Sequence, residues 1–307
     1  MRSLFVMFAA LAVMAPTLPA LAEDSVETEP VPEGWSVSSD INLTLTQNAY
    51  SDNWDGSETG ALSWALNSNT LAESQLSPSV NNKNTLKLAF GQTHSQDKES
   101  KVWLKPSTTT DLIDFETVFR FTYGWAVDPF AAGRVESRFV DNRNPAETVS
   151  FNPTTFTESF GVARVIIKEE DREWTTRLGG AVRQHIDRNV LPEGADEDSD
   201  ERETETTSDT GIEFVSEYRS PLLDGAVTFT SDLTVFQALS YSESDKLEGE
   251  GRDDWKSPDV NWENSFTASI TEYINVNLYL QALYDKQVDG DIRLKETLSL
   301  GFSLTLL

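Results

Sequence analysis

Hydrolysis by a nucleophilic serine would require a histidine and an orienting polar group within reach of that serine. The sequence contains two histidines, His94 and His185, and no cysteine. His94 directly precedes Ser95, but neighbouring strand residues point to opposite faces and cannot pair. His185 has no serine near it in the sequence. We therefore predict that the chain is not an enzyme, and that it holds no metal ion and no other cofactor, since thiolates are absent and imidazoles are few.

One segment near the C-terminus approaches the spacing of a calcium-binding loop. Asp285, Asp289, Gly290 and Glu296 match its pattern, but Gln287 stands at the third position, where Asp or Asn is needed. The flanking residues alternate as strands, whereas such a loop lies between helices. The alternative is a tight hairpin, because Asp289-Gly290 supplies the positive φ angles of a primed turn. We prefer the hairpin.

The densest block of like charge covers residues 196–201 with Glu203 and Glu205. Such a block predicts a solvated, disordered loop. Weak gathering of divalent cations beside lipopolysaccharide is the alternative. Residues 243–254 are interpreted in the same way. The whole sequence has a formal charge of −27, from 51 acidic and 24 basic residues. This excess argues against nucleic acid as a partner, since binding to it requires a basic surface.

Charged residues at intervals of two along predicted strands offer the most specific chemistry in the sequence. On the inner wall of a narrow pore a charged ring can select ions, and arginine suits a carboxylate or phosphate on a passing solute. If the strand order follows the chain, the arginines and most of the acidic groups lie on different arcs of the wall. Alternatively the charges pair and plug the barrel, because Asp114, Glu116 and Glu136 are interleaved with the arginines and Arg183 could pair with Glu213. The candidate pore-lining residues are Arg120, Arg134, Glu136, Arg138, Arg177, Arg183, Glu213, Glu217, Asp232 and Glu263.

These side chains can share one wall only if strands with two different faces carry them. Alternation of apolar and polar residues with a period of two recurs along the chain. In the last predicted strand Leu298 and Leu300 share an apolar face that suits lipid, and Thr297 and Ser299 share a polar face that suits a lumen. About twelve such strands are predicted. The parity of the sixth, near residues 156–167, stays open.

The connections between the predicted strands alternate between short turns and long polar loops. This alternation is typical of outer-membrane barrels, with short turns in the periplasm and long loops outside. The connection at residues 77–83 is longer than the pattern requires. An even number of strands places both termini in the periplasm. A soluble β-sandwich is the alternative, but it would not require connection lengths to alternate.

The first residues predict export by a cleaved signal peptide over residues 1–22. Arg2 supplies the positive charge, residues 4–14 form a short apolar stretch, and Ala20-Leu21-Ala22 is a suitable cleavage site. The alternative, a membrane anchor, is disfavoured because the apolar stretch is too short to span a bilayer. Residues 23–35 are acidic with two prolines and predict a disordered periplasmic segment. Residues 36–307 are predicted to form the transmembrane β-barrel.

Residues 42–60 resemble an uncharacterised outer-membrane family that is common in Bacteroidota, domain-of-unknown-function family 3078. The similarity is carried by Asn42-Leu43, Gln47, the run Ser51-Asp52-Asn53-Trp54, Gly56 and Gly60, and it extends over residues 105–111, 119–138 and 151–165, about half of the chain. The resemblance implies an outer-membrane barrel. It implies no particular activity.

We therefore expect an all-β, transmembrane antiparallel barrel of about 12 strands in the cell outer membrane. Its expected partners are outer-membrane lipid and lipopolysaccharide, and the barrel-assembly machinery during insertion. A barrel of this size is wider than the eight-stranded kind that side chains fill, so the first functional hypothesis is a porin-like passive channel for small solutes. The alternative is a non-conducting structural or adhesion barrel that displays acidic extracellular loops. The sequence does not identify the solute or the oligomeric state.

Overall fold

The computed structural model describes residues 34–48, 59–144, 147–192, 194–196, 199–271 and 274–306. The predicted signal peptide and residues 23–33 of the predicted disordered segment lie outside the described residues. Gly34 and Trp35 lie just before the first strand, and the Trp35 side chain is exposed. Within these ranges we find no helix that is long and apolar enough to cross a membrane.

Twelve antiparallel strands close into one barrel, which confirms the predicted fold class. Around the ring the strands follow the order of the chain, and β1 pairs with β14 to close it. The strands β6 (Val140–Asp141) and β7 (Val149–Ser150) form a separate two-stranded sheet, and a 3₁₀ helix, Glu250–Lys256, precedes β12. The barrel strands are β1 (Ser36–Asn48), β2 (Ala61–Ser77), β3 (Val80–Ser95), β4 (Ser107–Phe121), β5 (Asp128–Ser137), β8 (Thr154–Lys168), β9 (Glu173–Val190), β10 (Glu203–Leu222), β11 (Val227–Tyr241), β12 (Asp259–Ser269), β13 (Ile274–Asp285) and β14 (Asp289–Leu306).

Large apolar side chains cover the outside of the barrel. On β14 the side chains of Leu294, Leu298 and Leu300 are 63–70 % exposed. On β8, whose parity the sequence left open, Phe156 and Phe160 are exposed while the side chains that alternate with them are mostly buried. Many large apolar side chains exposed on one face of a sheet indicate contact with a membrane or with a partner. The alternation therefore places apolar residues outside and polar residues inside.

The two ends of the barrel differ in the length of their connections. We call the end with the connections after β2, β4, β8, β10 and β12 the turn end, and the opposite one the loop end. The first residue of β1 and the last of β14 both lie at the turn end, because the strand count is even. At the turn end Tyr123 and Trp125 are exposed, and the indole nitrogen of Trp174 donates to Ser216 Oγ at 3.0 Å. Aromatic residues of this kind are typical of a membrane interface.

The structure corrects two predictions about connections. The long turn predicted at residues 77–83 is a two-residue turn, Pro78-Ser79, because β3 begins at Val80. The polar residues 81–85 belong to the strand and gave this part of it the appearance of a loop. The predicted hairpin near the C-terminus is present, but its turn is residues 286–288 and Gly290 lies in β14 without a positive φ angle.

The acidic segments are more ordered than the charge pattern predicts. Glu203 and Glu205 belong to β10, where they pair with Val190 and Asp187 of β9. Residues 250–256 form the 3₁₀ helix, and its Trp255 packs against a buried cluster that includes Phe236. Backbone pairing and apolar packing have therefore overridden the repulsion between like charges in these parts of the chain.

Two inward-facing glycines allow β8 and β9 to approach closely. Gly161 and Gly179 are direct neighbours across the ladder. A Cβ on Gly179 would lie 2.2 Å from the backbone oxygen of Phe160, and one on Gly161 would lie 2.2 Å from that of Leu178. Backbone cannot give way as a flexible side chain can, so this contact requires glycine at both positions.

Candidate functional site in the barrel lumen

The interior wall of the barrel is polar, because every second residue of each strand points inward and most of these residues are polar or charged. The inward set on β3 includes Lys83 and Lys87, which alternate with the outward Leu86 and Leu88. On β4 the inward residues include Asp114 and Glu116. These side chains meet others from the far wall, and the contacts between them define the candidate site.

Two lysines reach across the whole lumen. Lys87 Nζ lies 3.2 Å from Asp232 Oδ2, and Lys83 Nζ lies 3.3 Å from both carboxylate oxygens of Glu217. β3 and β11 stand six places apart in the ring of twelve, so Lys87 and Asp232 come from opposite walls. β3 and β10 stand five places apart. We call these two contacts the lysine bridges. Because they join walls that share no backbone hydrogen bonds, they close the lumen rather than strengthen the sheet.

Arg134 of β5 is held between two carboxylates. Its Nε and Nη2 atoms bind the two oxygens of Asp114 at 2.8 and 3.0 Å, and Nη2 also binds Glu136 Oε1 at 3.0 Å. The forked contact with Asp114 fixes the plane of the guanidinium. Arg134 is therefore neutralised by its own part of the wall.

Arg177 of β9 lies in the same region and is only 5 % exposed. Its Nη2 donates to Glu116 Oε1 at 2.7 Å, and its guanidinium carbon lies 5.6 Å from the centre of the Phe130 ring. β9 and β4 stand three places apart, so this ion pair also crosses part of the interior. The Nε and Nη1 atoms of Arg177 are buried and make no hydrogen bond to any described residue.

Arg183 lies nearer the loop end, in a second group of three charges. Its Nη2 lies 3.0 Å from Asp209 Oδ2 and 2.6 Å from Asp259 Oδ2, and its guanidinium stacks on Phe236 at 3.6 Å. The suggested pairing of Arg183 with Glu213 was wrong. Register explains this, since Arg183 stands opposite Asp209 on β10, whereas Glu213 stands opposite Gly179.

A third group of the same kind ties the connection between β5 and β8 to the wall. Arg143 Nη2 lies 2.6 Å from Asp141 Oδ2 and 2.8 Å from Asp187 Oδ1. The fully buried Asn152 donates to both carboxylates at 2.7 and 2.9 Å. Burial alone would raise the pKa of Asp141, but hydrogen bonds from Arg143 and Asn152 outweigh it and hold this pKa below its usual range. The connection is therefore anchored at the mouth of the barrel.

Little open space remains among these side chains. The cavity bordered by Lys87, Arg134, Arg177 and Asp232 measures about 60 Å³. A single water molecule needs roughly 10–15 Å³ on this measure, so the cavity holds only a few waters. In this conformation the lumen is constricted at the level of the lysine bridges.

Nine of the ten predicted pore-lining residues have their side chains in the interior. Arg120 lies 3.7 Å from Asp128 at the turn end. Glu213 and Glu263 border the cavity beside the residues described above. Arg138 differs: it follows the last residue of β5, is exposed, and makes no ion pair with a described residue. The arginines predicted for one arc lie on or next to β4, β5 and β9, and the acidic groups predicted for the other lie on β10, β11 and β12. Within the described residues the two sets do not form ion pairs with each other, because most of their members form ion pairs with charged residues outside both sets.

The sequence analysis missed several charged residues that are central to the site. Lys83 and Lys87 carried a usable signal, because they have the opposite parity to the outward leucines of the same strand. Asp209 and Asp259 lie beyond the predicted strand ends, so their parity was not available. Asp141 and Arg143 lie outside the barrel strands, where no periodicity applies.

The two histidines lie apart from these groups. The His94 ring packs against Trp103, with 5.0 Å between ring centres. His185 Nδ1 and the hydroxyl of Thr155 are 3.0 Å apart and directly opposite each other on β9 and β8. Both contacts are local pairs on or beside the barrel strands.

No family model matches the chain, and no curated protein matches it, so the resemblance to family 3078 stays a prediction. Among solved structures, an outer membrane channel from Pseudomonas putida F1 is similar over 92 % of this chain and 98 % of its own, with 16 % identity and a TM-score of 0.43. The translocator domain of the autotransporter NalP from Neisseria meningitidis is similar over 90 % and 89 %, with 10 % identity and a TM-score of 0.37. The β domain of the Bordetella autotransporter BrkA is similar over 88 % and 99 %, with 9 % identity and a TM-score of 0.32. At these values nothing about function follows from the similarities.

Proposed function

We propose that the protein is an outer-membrane channel for small solutes whose lumen is held closed at rest by the lysine bridges. One observation carries the proposal: in a closed barrel with a polar wall, Lys83 and Lys87 span the interior to Glu217 and Asp232. A polar interior supports a pathway for water and solutes, as in porins.

The lysine bridges suit a closure that opens. All four side chains remain partly accessible, between 28 and 41 %. Ion pairs in contact with water contribute about 0–1 kcal/mol each, because solvent screens them and long side chains lose entropy on pairing. Two such contacts can break without unfolding a barrel whose backbone ladder is intact.

The exposed apolar surface supports a membrane location, and the outer membrane is the bilayer in which antiparallel barrels of this kind reside. We expect the turn end, which holds the start of β1 and the end of β14, to face the periplasm. The loop end then faces the outside of the cell. Lipid and lipopolysaccharide then contact the outer wall, and the barrel-assembly machinery inserts the chain.

Conductance in a planar lipid bilayer tests the proposal. The informative variant removes both partners of both bridges, Lys83→Gln with Glu217→Gln and Lys87→Gln with Asp232→Asn, so that the net charge of the lumen is unchanged. We call it the bridge-free variant. The wild type should show low or intermittent conductance, and the bridge-free variant should conduct steadily. The matched control is Arg172→Gln with Glu169→Gln, which removes an exposed ion pair in a turn and should leave conductance at the wild-type level.

The second candidate is a non-conducting barrel whose acidic loops are the working surface. The favouring observation is the cavity of about 60 Å³, which leaves little room for a solute. If neither the wild type nor the bridge-free variant conducts while both are folded, this second function replaces the first.

A further inference from the structure

We infer that the open pathway of this channel selects cations over anions, an inference that rests on the proposed function. It comes from a repeated arrangement: three arginines along the way from the loop end to the cavity are each held between two carboxylates. The three groups are Arg143 with Asp141 and Asp187, Arg183 with Asp209 and Asp259, and Arg134 with Asp114 and Glu136.

Each of these groups carries one positive and two negative charges. The contacts lie between 2.6 and 3.0 Å, so the guanidinium is occupied by its own carboxylates and is not free to attract a passing anion. Each group therefore has a net charge of −1. In the Arg143 group the arginine is the more exposed member, with 48 % of its side chain accessible against 2 and 12 % for the two carboxylates. The arginines that suggested an attraction for carboxylates and phosphates are thus cancelled by their neighbours.

The remaining charges near the cavity do not reverse this sign. The lysine bridges are neutral pairs, as is Arg177 with Glu116. Glu213 and Glu263 border the cavity, and within the described residues neither makes an ion pair with a lysine or arginine; Asn261 donates to Glu263 at 2.9 Å.

Two basic residues also contribute positive charge to the lumen. Arg293 and Lys295 lie at inward positions of β14, and no described carboxylate pairs with either; Lys295 lies over the Tyr279 ring at 5.8 Å. The two positive charges of Arg293 and Lys295 balance the two negative charges of Glu213 and Glu263. The net charge of these residues and the three arginine groups together is therefore negative. Charge fixed in a narrow wall with low-dielectric surroundings attracts counter-ions from solution.

The energetic reason for cation preference is that the groups stand in series. A cation entering from the loop end meets the Arg143 group at the mouth, then the Arg183 group, whose Asp259 is the first residue of β12, and then the Arg134 group at the cavity. An anion meets the same three groups as successive barriers. Selectivity therefore depends on the flanking carboxylates, and Asp209 and Asp259, which flank the same arginine, can be neutralised together.

The reversal potential in a gradient of potassium chloride measures the preference, with the bridge-free variant as the conducting form. It should pass potassium several-fold better than chloride. Adding Asp209→Asn and Asp259→Asn leaves Arg183 unneutralised and should bring the ratio to one or below. Should that variant fail to fold, Glu213→Gln with Glu263→Gln in the same background should lower the ratio in the same direction. The matched control is Glu158→Gln, which removes a carboxylate from the outer face of β8 and should not change the ratio.

A chloride preference in the bridge-free variant, or a ratio that ignores all of the lumen substitutions, overturns the inferred selectivity and leaves the channel function standing. Absence of current in both the wild type and the bridge-free variant overturns the channel function, and the selectivity with it.

Discussion

At the scale of single residues, the direction of each side chain decides what a substitution costs. Leu300 of β14 points outward and is 63 % exposed, whereas Ser299 beside it points inward. The two positions share their backbone environment and differ only in the medium they face. This neighbouring pair separates the effect of lipid from the effect of strand geometry.

We expect Leu300→Arg to destabilise the inserted barrel by about 2–4 kcal/mol if it lies near the bilayer midplane, because a charged side chain on the lipid face must be desolvated. Ser299→Arg should cost much less, since the added charge reaches a wet, polar lumen. Reversible unfolding of both variants in lipid vesicles gives the two free energies. Equal penalties would contradict the assignment of faces.

Parity was the most predictable feature of individual residues. The assignment of Leu298 and Leu300 to the outside was correct, because period-two alternation survives wherever one face must be apolar. The alternation did not predict which charges meet. Lys87 and Asp232 are 145 residues apart in the chain, and only the closure of the ring brings them together.

At the scale of strands, the close approach of β8 and β9 is the most sequence-specific contact. Gly179 faces inward and its missing Cβ is replaced by the backbone of β8, whereas the next residue, Gly180, faces outward with only ordinary contacts near its Cα. These adjacent glycines make a matched pair for a substitution.

Gly179→Ala should destabilise the barrel by roughly 1–3 kcal/mol, the range found for overpacked sites, because a methyl group would meet fixed backbone atoms. Gly180→Ala should be nearly neutral. The urea concentration at the midpoint of unfolding compares the stability of the two variants. Folded and unfolded protein can be separated on a denaturing gel, because an unboiled barrel migrates differently from the unfolded chain. If both variants unfold at the wild-type midpoint, β8 and β9 are not in the described register.

Strand ends were the least predictable part of the elements. Glu203 and Glu205 at the beginning of β10 were predicted to belong to a disordered loop, because acidic residues dominate this segment. They nevertheless pair with β9, whose Asp187 is fixed by Arg143 and Asn152. The composition of a segment indicates whether it is exposed to water. It does not show whether the segment pairs with another strand, because that depends on residues elsewhere in the chain.

At the scale of the whole molecule, strand count, antiparallel order and the polar interior were all predicted from alternation and connection length. The state of the lumen was not. An inward charge has the same periodicity whether it lines an open pore or meets a partner across it, so the plugged alternative stayed beside the open pore that the sequence analysis put first. Distances between opposite walls, such as the 3.2 Å between Lys87 and Asp232, favour a closed resting state.

The lysine bridges are therefore the central claim, and a cross-link between opposite walls tests them most directly. The chain has no cysteine, so Lys87→Cys with Asp232→Cys introduces the only two thiols. A short reagent with two thiol-alkylating groups should join them within one chain in the folded barrel. The matched control, Lys87→Cys with Leu233→Cys, moves the second thiol by one residue to the outer face and should not cross-link. Efficient intramolecular cross-linking of positions 87 and 232 alone is the predicted result; equal yields for both pairs, or none for either, would contradict a lumen closed by side chains from β3 and β11.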